Sequence, residues 1–122
     1  MTEASDGNLL YRESQHFYFL PISPLKTEVR SDGIYFKYFP FHLSFRKIPL
    51  ESLRKYEAIT YRPIRDYGGW GLKYGRKGRA YTARGNRGVQ LELSDGRPVL
   101  IGSQKPEELV MAIDKALSQM KK

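Results

Sequence analysis

An aspartate–glycine pair between two strand-like stretches is the feature that most constrains the fold of this chain. Residues 89–93 alternate apolar and polar side chains, and residues 98–101 return to an apolar run beyond Asp95 and Gly96. Alternation with a period of two is typical of a strand with one buried face. Asp-Gly suits a two-residue hairpin turn, because both turn positions require a positive φ. The pattern predicts an antiparallel β-hairpin over residues 89–101.

Further strand-like stretches precede the hairpin. They are rich in aromatic and β-branched side chains, and glycine or proline residues interrupt them. The stretches cover residues 27–30, 34–39, 43–48, 56–61, 70–75 and 79–83. Together with the hairpin they predict a mainly β domain of about seven antiparallel strands.

The last part of the chain changes to a helical period. Apolar side chains recur at the spacing of one helix face at Leu109, Ile113, Ala116, Leu117 and Met120. A proline and two glutamates, residues 106–108, stand where the first helical turn favours them. We expect one amphipathic C-terminal helix that buries this stripe on the sheet.

A set of short sequence blocks covers most of the chain from residue 24 onward. The blocks are Thr27-Glu28-Val29-Arg30, Asp32-Gly33-Ile34, Phe39-Pro40-Phe41-His42, Tyr61-Arg62-Pro63-Ile64, Tyr67-Gly68-Gly69-Trp70-Gly71, Gly78-Arg79-Ala80-Tyr81, Gly85-Asn86-Arg87-Gly88-Val89 and residues 100–109. As a set they resemble a group of uncharacterised prokaryotic pleckstrin-homology-like domains. The resemblance implies a split β-barrel of about seven strands capped by the C-terminal helix, over residues 24–122, and it implies no enzymatic activity.

The N-terminal segment, residues 1–23, is predicted to be partly disordered and to lie outside this domain. Members of the similar group commonly carry two membrane-spanning helices just before the domain. Here residues 11–17 and 24–27 resemble the segments that flank such a hairpin, but two spans need on the order of 40 apolar residues between them. The longest apolar stretch, residues 17–25, contains Pro21 and Pro24. The expectation is a soluble cytoplasmic chain as written, or a domain on the cytoplasmic side of the membrane if the native protein carries the hairpin.

Several classes of chemistry lack their residues. The sequence contains no cysteine, which excludes disulfides, zinc–thiolate sites, iron–sulfur clusters and thiol catalysis. Its two histidines, His16 and His42, have no acidic neighbour in register, so no metal site is expected. Neither a phosphate-loop nor a dinucleotide-binding glycine motif is present. Ser103 could be a nucleophile in principle, but a capping or turn hydrogen bond is the favoured role. We expect no enzyme and no cofactor.

Positive charge is concentrated in one block of the chain. The formal net charge is +8, and residues 61–90 hold eight arginines and lysines against one aspartate. Two glycine-flanked loops in this block could direct guanidinium and backbone N–H groups onto one phosphate. The candidate anion-binding residues are Arg76, Lys77, Arg79, Arg84 and Arg87. The alternative is that these cations point outward and only solvate the surface.

The function expected from these features is a non-enzymatic interaction module near a membrane. Its basic loops would meet an anionic membrane surface or an acidic protein partner. A small nucleic-acid-binding barrel is an alternative, since its many aromatic side chains could stack bases, although such residues are more often core. A self-assembling domain that forms a homo-oligomer through an uncovered strand edge is a third.

Overall fold

The computed structural model describes residues 8–15, 25–38, 42, 44–61, 71–75, 78–82 and 85–120. These residues form two β-sheets and one long helix. Four strands make the first sheet in chain order: β1 (Leu9–Gln15), β2 (Leu25–Arg30), β3 (Gly33–Tyr38) and β4 (Arg46–Pro49). Each strand pairs antiparallel with the next. A single 3₁₀ turn, Leu50–Ser52, then leads into the second sheet.

Five strands make the second sheet: β5 (Leu53–Thr60), β6 (Gly71–Gly75), β7 (Gly78–Thr82), β8 (Arg87–Leu93) and β9 (Pro98–Gly102). Their spatial order is β5-β8-β9-β7-β6. The β8–β9 pair is the hairpin predicted at the aspartate–glycine turn. Among the described residues, the β6–β7 hairpin joins the sheet through β7, which runs parallel to β9.

The helix α1 (Pro106–Met120) covers one side of the core. Leu109, Ile113 and Ala116 are fully or almost fully buried against both sheets, as their helical spacing predicts. Leu117 is only half-buried, and Met120 remains 46% exposed. Full burial along the predicted apolar stripe therefore ends at Ala116, with Leu117 partly buried against the core.

The mainly β class with one C-terminal helix is confirmed. The strand count and pairing need correction: the described residues contain nine strands, not about seven, and the β7–β9 pair is parallel. No backbone ladder joins the two sheets within the described part of the chain, so these residues form two packed sheets without closing into a barrel.

The predicted start of the domain at residue 24 also needs correction. β1 lies within residues 1–23, the segment that was predicted to be outside the domain. β1 pairs with β2 along most of its length. Gln15 donates a buried hydrogen bond to the carbonyl oxygen of Gly102 at 2.6 Å. The carboxylate of Glu13 accepts from the Ser103 hydroxyl and from the Gln104 amide, both at 2.7 Å. These contacts fasten β1 to the turn that precedes α1. Among the described residues, no helix has the length and apolar character needed to cross a bilayer.

Candidate functional site: a basic cleft between the sheets

A cleft of about 320 Å³ opens where the edge of the first sheet faces the second sheet. Its walls come from β3 and β4 on one side and from β7, β8 and β9 on the other, together with His42. The described residues that line it are Phe36, His42, Arg46, Lys47, Ile48, Arg79, Tyr81, Leu93, Arg97 and Val99. A volume of this size falls at the lower end of the range for small-molecule sites.

The floor of the cleft is the edge of the hydrophobic core. Phe36, Ile48, Tyr81, Leu93 and Val99 are all buried and belong to the main core cluster. The rings of Phe36 and Tyr81 lie 4.6 Å apart between their centroids. A floor built from packed core side chains is rigid, so the groups around it keep fixed positions.

Three arginines surround this floor because of strand alternation. Each arginine stands two positions before a buried core residue. Arg46 precedes Ile48 in β4, and Arg79 precedes Tyr81 in β7. Arg97 lies just before β9 and precedes Val99 in the same way. Side chains two positions apart on a strand share a face. All three arginine side chains therefore lie on the core-facing side of the sheets, at the boundary between the core and solvent.

The cations of the cleft differ in how well they are neutralised. Arg97 pairs with Asp95 at 2.7 Å and Lys47 pairs with Asp32 at 2.8 Å, both at exposed or half-exposed positions. Arg79 donates to the Tyr81 hydroxyl at 3.3 Å. Arg46 forms no ion pair with any described residue. No aspartate or glutamate is among the described residues that line the cleft, so its potential is positive.

The positive charges of the cleft affect the pKa of His42. Burial, followed by the positive charges of Arg46 and Arg79, lowers the pKa of the His42 imidazole below its usual value of 6.5. The ring is therefore neutral at physiological pH. Its Nδ1 accepts a hydrogen bond from the Tyr38 amide at 3.2 Å, which places the ring proton on Nε2. Nε2–H has no partner among the described residues.

The aromatic neighbours of His42 hold its ring in place. The His42 centroid lies 5.9 Å from that of Phe36 and 5.7 Å from that of Tyr81. A ring fixed on two sides and by one hydrogen bond has little freedom to turn. Its N–H donor is thus a preorganised part of the cleft.

The chemistry of the cleft is that of a hydrogen-bond donor to anions. Guanidinium groups present planar forks that match phosphate and carboxylate oxygens, and lysine adds a point charge. A neutral histidine adds one N–H. Metal binding does not fit, because a cation would meet three arginines. Within the described ranges, no group of three or more histidine, aspartate or glutamate side chains could hold a metal ion.

Two of the five candidate anion-binding residues, Arg79 and Arg87, are among the described residues, and of these two Arg79 lines the cleft. Arg87 lies at the other end of β9: Arg79 is opposite Val99, whereas the Arg87 carbonyl accepts from the Ser103 amide. Four residues of strand separate these positions, about 13 Å. Arg87 also forms a salt bridge with Glu107 at the start of α1. Arg79 and Arg87 therefore do not converge on one phosphate.

Arg76, Lys77 and Arg84 lie outside the described residues, so anion binding by the two loops remains a prediction. Arg46, Lys47 and Arg97 were not among the predicted site residues, because they lie outside the basic block. The sequence did contain a pattern that could have predicted the arginines of the cleft. The pattern is an arginine two positions before the buried end of a strand with alternating side chains.

Of the two roles favoured for Ser103, a capping or a turn hydrogen bond, the structure shows the turn hydrogen bond. The residue is buried, its hydroxyl donates to Glu13, and it accepts from the Lys105 amide at 3.0 Å. Both hydrogen bonds hold the turn that leads into α1. The same contacts engage its oxygen, so Ser103 is a structural residue.

A protein-family comparison covers nearly the whole fold. The model of a family of unknown function, DUF6141, matches residues 9–120. This chain belongs to that family. The match begins at the first residue of β1 and ends at the last residue of α1, so the DUF6141 unit coincides with the two sheets and the helix. No curated protein and no solved structure matches the chain.

Proposed function

We propose that this DUF6141 domain is a non-enzymatic binding module whose inter-sheet cleft holds an anionic group of its partner. The observation that carries the proposal is the convergence of Arg46, Arg79 and Arg97 around one apolar floor, with no carboxylate among the described lining residues. Arg46 forms no ion pair with any described residue, and an anion bound beside it would offset the repulsion between it and the neighbouring cations of the cleft. The Nε2–H donor of His42, which has no partner among the described residues, supports the same ligand class.

The shape of the cleft favours one inserted group over a flat surface. Phosphate or carboxylate oxygens fit the arginine forks at the rim, while an attached apolar part would contact Phe36 and Tyr81. A phospholipid headgroup at the cytoplasmic face of a membrane supplies such a group, and so does an acidic segment of a protein. The net charge of +8 would attract either one at low salt.

We also propose that the fold is a variant of the pleckstrin-homology-like split barrel. The four-stranded antiparallel meander, the second sheet packed against it and the capping C-terminal helix support this assignment. The parallel β7–β9 pair sets this variant apart from a simple meander. An experimental structure in which the two sheets pack face to face without the split-barrel arrangement would refute the assignment.

The binding proposal is tested with sulfate as the probe, followed by backbone amide NMR. Sulfate should shift the amides of His42, Arg79 and Arg97. Arg46→Gln should weaken binding about 10- to 150-fold, as loss of a charge-assisted hydrogen bond costs about 1.5–3 kcal/mol. Arg54→Gln is the matched control, because Arg54 is an exposed arginine on β5 whose only described ion pair is to Glu92 at 3.4 Å. Equal weakening by both substitutions would contradict the proposal.

The source of the anion is tested by competition against sulfate at the same amides. Vesicles with anionic headgroups, an acidic peptide and a single-stranded oligonucleotide are compared, with neutral phosphatidylcholine vesicles as the control. Displacement by anionic vesicles supports the membrane role, and displacement by the peptide supports a protein partner. Displacement by the oligonucleotide alone would replace both with the nucleic-acid alternative.

A self-assembling role is a second candidate, favoured by the sheet edges. Within the described residues, β1, β4, β5 and β6 each have a backbone ladder on one side only. Unpaired strand edges are templates for pairing with another copy. Light scattering coupled to size exclusion would give a dimer mass or larger if this role holds, and a mass near 14.2 kDa if it does not.

A further inference from the structure

A second basic depression lies on the outer face of the first sheet. It is a groove of about 320 Å³, lined by Arg12, Ser14, Lys26, Glu28, Lys37 and Phe45. Lys37 stands between Phe36 and Tyr38, which both point into the core, so its own side chain is on the opposite face. The groove and the cleft thus lie on opposite faces of the same sheet.

Two lysines face each other across this groove. In the sheet register, Ser14 is directly opposite Lys26, and Lys26 is directly opposite Lys37. The three side chains form one row across β1, β2 and β3. Like charges at directly opposite positions destabilise a sheet. This row therefore costs free energy in the unliganded protein.

No described carboxylate pairs with these two lysines. Lys26 has no ion pair among the described residues, and Lys37 has its ammonium 4.9 Å from the centre of the Phe45 ring. Other lysines of the sheets are placed differently: Lys47 pairs with Asp32, and Lys55 lies opposite Glu92. The Lys26–Lys37 pair thus differs from Lys47 and Lys55, which each have a carboxylate as partner or opposite neighbour.

Glu28 does not neutralise the pair, because arginines already engage its carboxylate. Its Oε1 accepts from Arg30 Nε at 2.9 Å and from Arg30 Nη2 at 2.7 Å, and the side chains of both residues are only 8% exposed. Arg12 approaches the other oxygen at 3.4 Å. With two arginines on one glutamate, this side of the groove keeps a positive balance.

We propose that the Ser14–Lys26–Lys37 row binds an oxyanion, the phosphate or sulfate group of a small ligand. The two ammonium groups would donate to separate oxygens and the Ser14 hydroxyl to a third. The Phe45 ring offers an apolar wall beside them for the carbon part of a phosphate or sulfate ester. This site does not depend on the inter-sheet cleft, which opens on the other face.

The test uses low-salt thermal unfolding and amide NMR, with sodium sulfate as the probe and sodium chloride of equal ionic strength as the reference. Sulfate should shift the Ser14, Lys26 and Lys37 amides and raise Tm. Lys26→Gln and Lys37→Gln should each raise Tm without sulfate, because repulsion is relieved, and weaken sulfate binding at these amides about tenfold. The opposite signs of the two effects separate a binding site from a structural contact.

Lys115→Gln on α1 is the matched control, since Lys115 is an exposed lysine distant from the first sheet's outer face. It should leave the sulfate response of the groove amides unchanged. The proposal is overturned if sulfate leaves the three amides unmoved, if the groove substitutions lower Tm without sulfate, or if Lys115→Gln weakens binding equally. A pyrophosphate titration and a phenyl phosphate titration at the same amides then rank the ester against the free anion.

The same spectra separate this site from the inter-sheet cleft. Cleft binding moves the His42 and Arg79 amides and is sensitive to Arg46→Gln. Groove binding moves the Ser14 and Lys26 amides and is sensitive to Lys37→Gln. Either proposal can therefore fail while the other holds.

Discussion

At the residue scale, His42 would couple proton binding to the anion binding proposed for the cleft. Its pKa lies below 6.5 because of burial and of the charges on Arg46 and Arg79. When pH falls below 6.5, the unfolded chain takes up this proton before the folded chain does, so folding stability decreases with falling pH. An anion between the arginines offsets their field, which raises the pKa of His42.

We predict that sulfate affinity at the cleft increases as pH falls from 7 toward 5. Binding that raises the pKa of His42 must, by linkage, be strengthened when His42 is protonated. Sulfate suits this experiment because it stays a dianion over the range. The measurement is the His42 ring titration by NMR with and without sulfate, with His16→Gln used to assign the signal. An unchanged or lowered His42 pKa with sulfate would refute the link.

The space around Gly88 admits no side chain, which explains why glycine is required there. A Cβ at this position would lie 2.5 Å from the Ile101 carbonyl oxygen and 3.0 Å from the Gly102 Cα, both backbone atoms of the adjacent strand. At Gly96, by contrast, nothing lies within 4 Å, although its φ is +91°.

We predict that Gly88→Ala costs about 3 kcal/mol or more in free energy of unfolding, because β8 and β9 must separate to admit the methyl group. Gly96→Ala should cost only about 1–2 kcal/mol, the strain of alanine at a left-handed φ. Urea unfolding of the two variants measures both values. Equal losses would show that the β8–β9 ladder yields more easily than its geometry indicates.

At the scale of elements, α1 is stabilised by the burial of one helix face in the core. Ile113 is completely buried, whereas Met111 on the same helix is 66% exposed. We predict that Ile113→Ala lowers the free energy of unfolding by about 2–5 kcal/mol, and that Met111→Ala changes it by less than about 0.5 kcal/mol. Chemical denaturation compares the pair. A similar loss for both would mean that Met111 packs against a neighbour in solution.

The elements differ in how accurately their positions could be predicted from the sequence. The β8–β9 hairpin and α1 were predicted close to their observed bounds, because their signals are local: a turn pair that needs positive φ, and a helical period. β1 was missed. Its sequence mixes polar and apolar residues, and its place is set by Gln15 and Glu13, whose partners lie 87 and 90 residues further along the chain.

The cleft was missed for a related reason. Arg46, Arg79 and Arg97 are each ordinary in their local sequence, and only the packing of the two sheets brings them together. Charge density along the chain instead favoured residues 61–90, and within that block Arg79 and Arg87 lie at opposite ends of β9. A charge cluster in sequence is a cluster in space only where the strands that carry it run side by side in register.

At the scale of the whole molecule, we predict that β1 is required for the fold. Deleting residues 1–15 removes the β1–β2 ladder and the hydrogen bonds to Gly102 and Ser103. The loss should be a large share of the roughly 5–15 kcal/mol that typically stabilises a domain. Deleting residues 1–7 is the control, since it keeps every one of these contacts. Thermal unfolding of both truncations gives the comparison, and equal Tm values would contradict the prediction.

The manner in which β6 and β7 join the second sheet has a dynamic consequence. Within the described part of the chain, three parallel residue pairs between β7 and β9 form the ladder that attaches this hairpin, whereas β5 and β8 share a ladder of seven pairs. Short ladders open at lower free energy, so the hairpin should detach as a cooperative unit while the rest of the sheet stays closed. Amide hydrogens of β7 should then exchange with solvent faster than those of β8. Since Arg79 moves with β7, each opening would release an anion bound in the proposed site, and the lifetime of such a complex would follow the frequency of that opening.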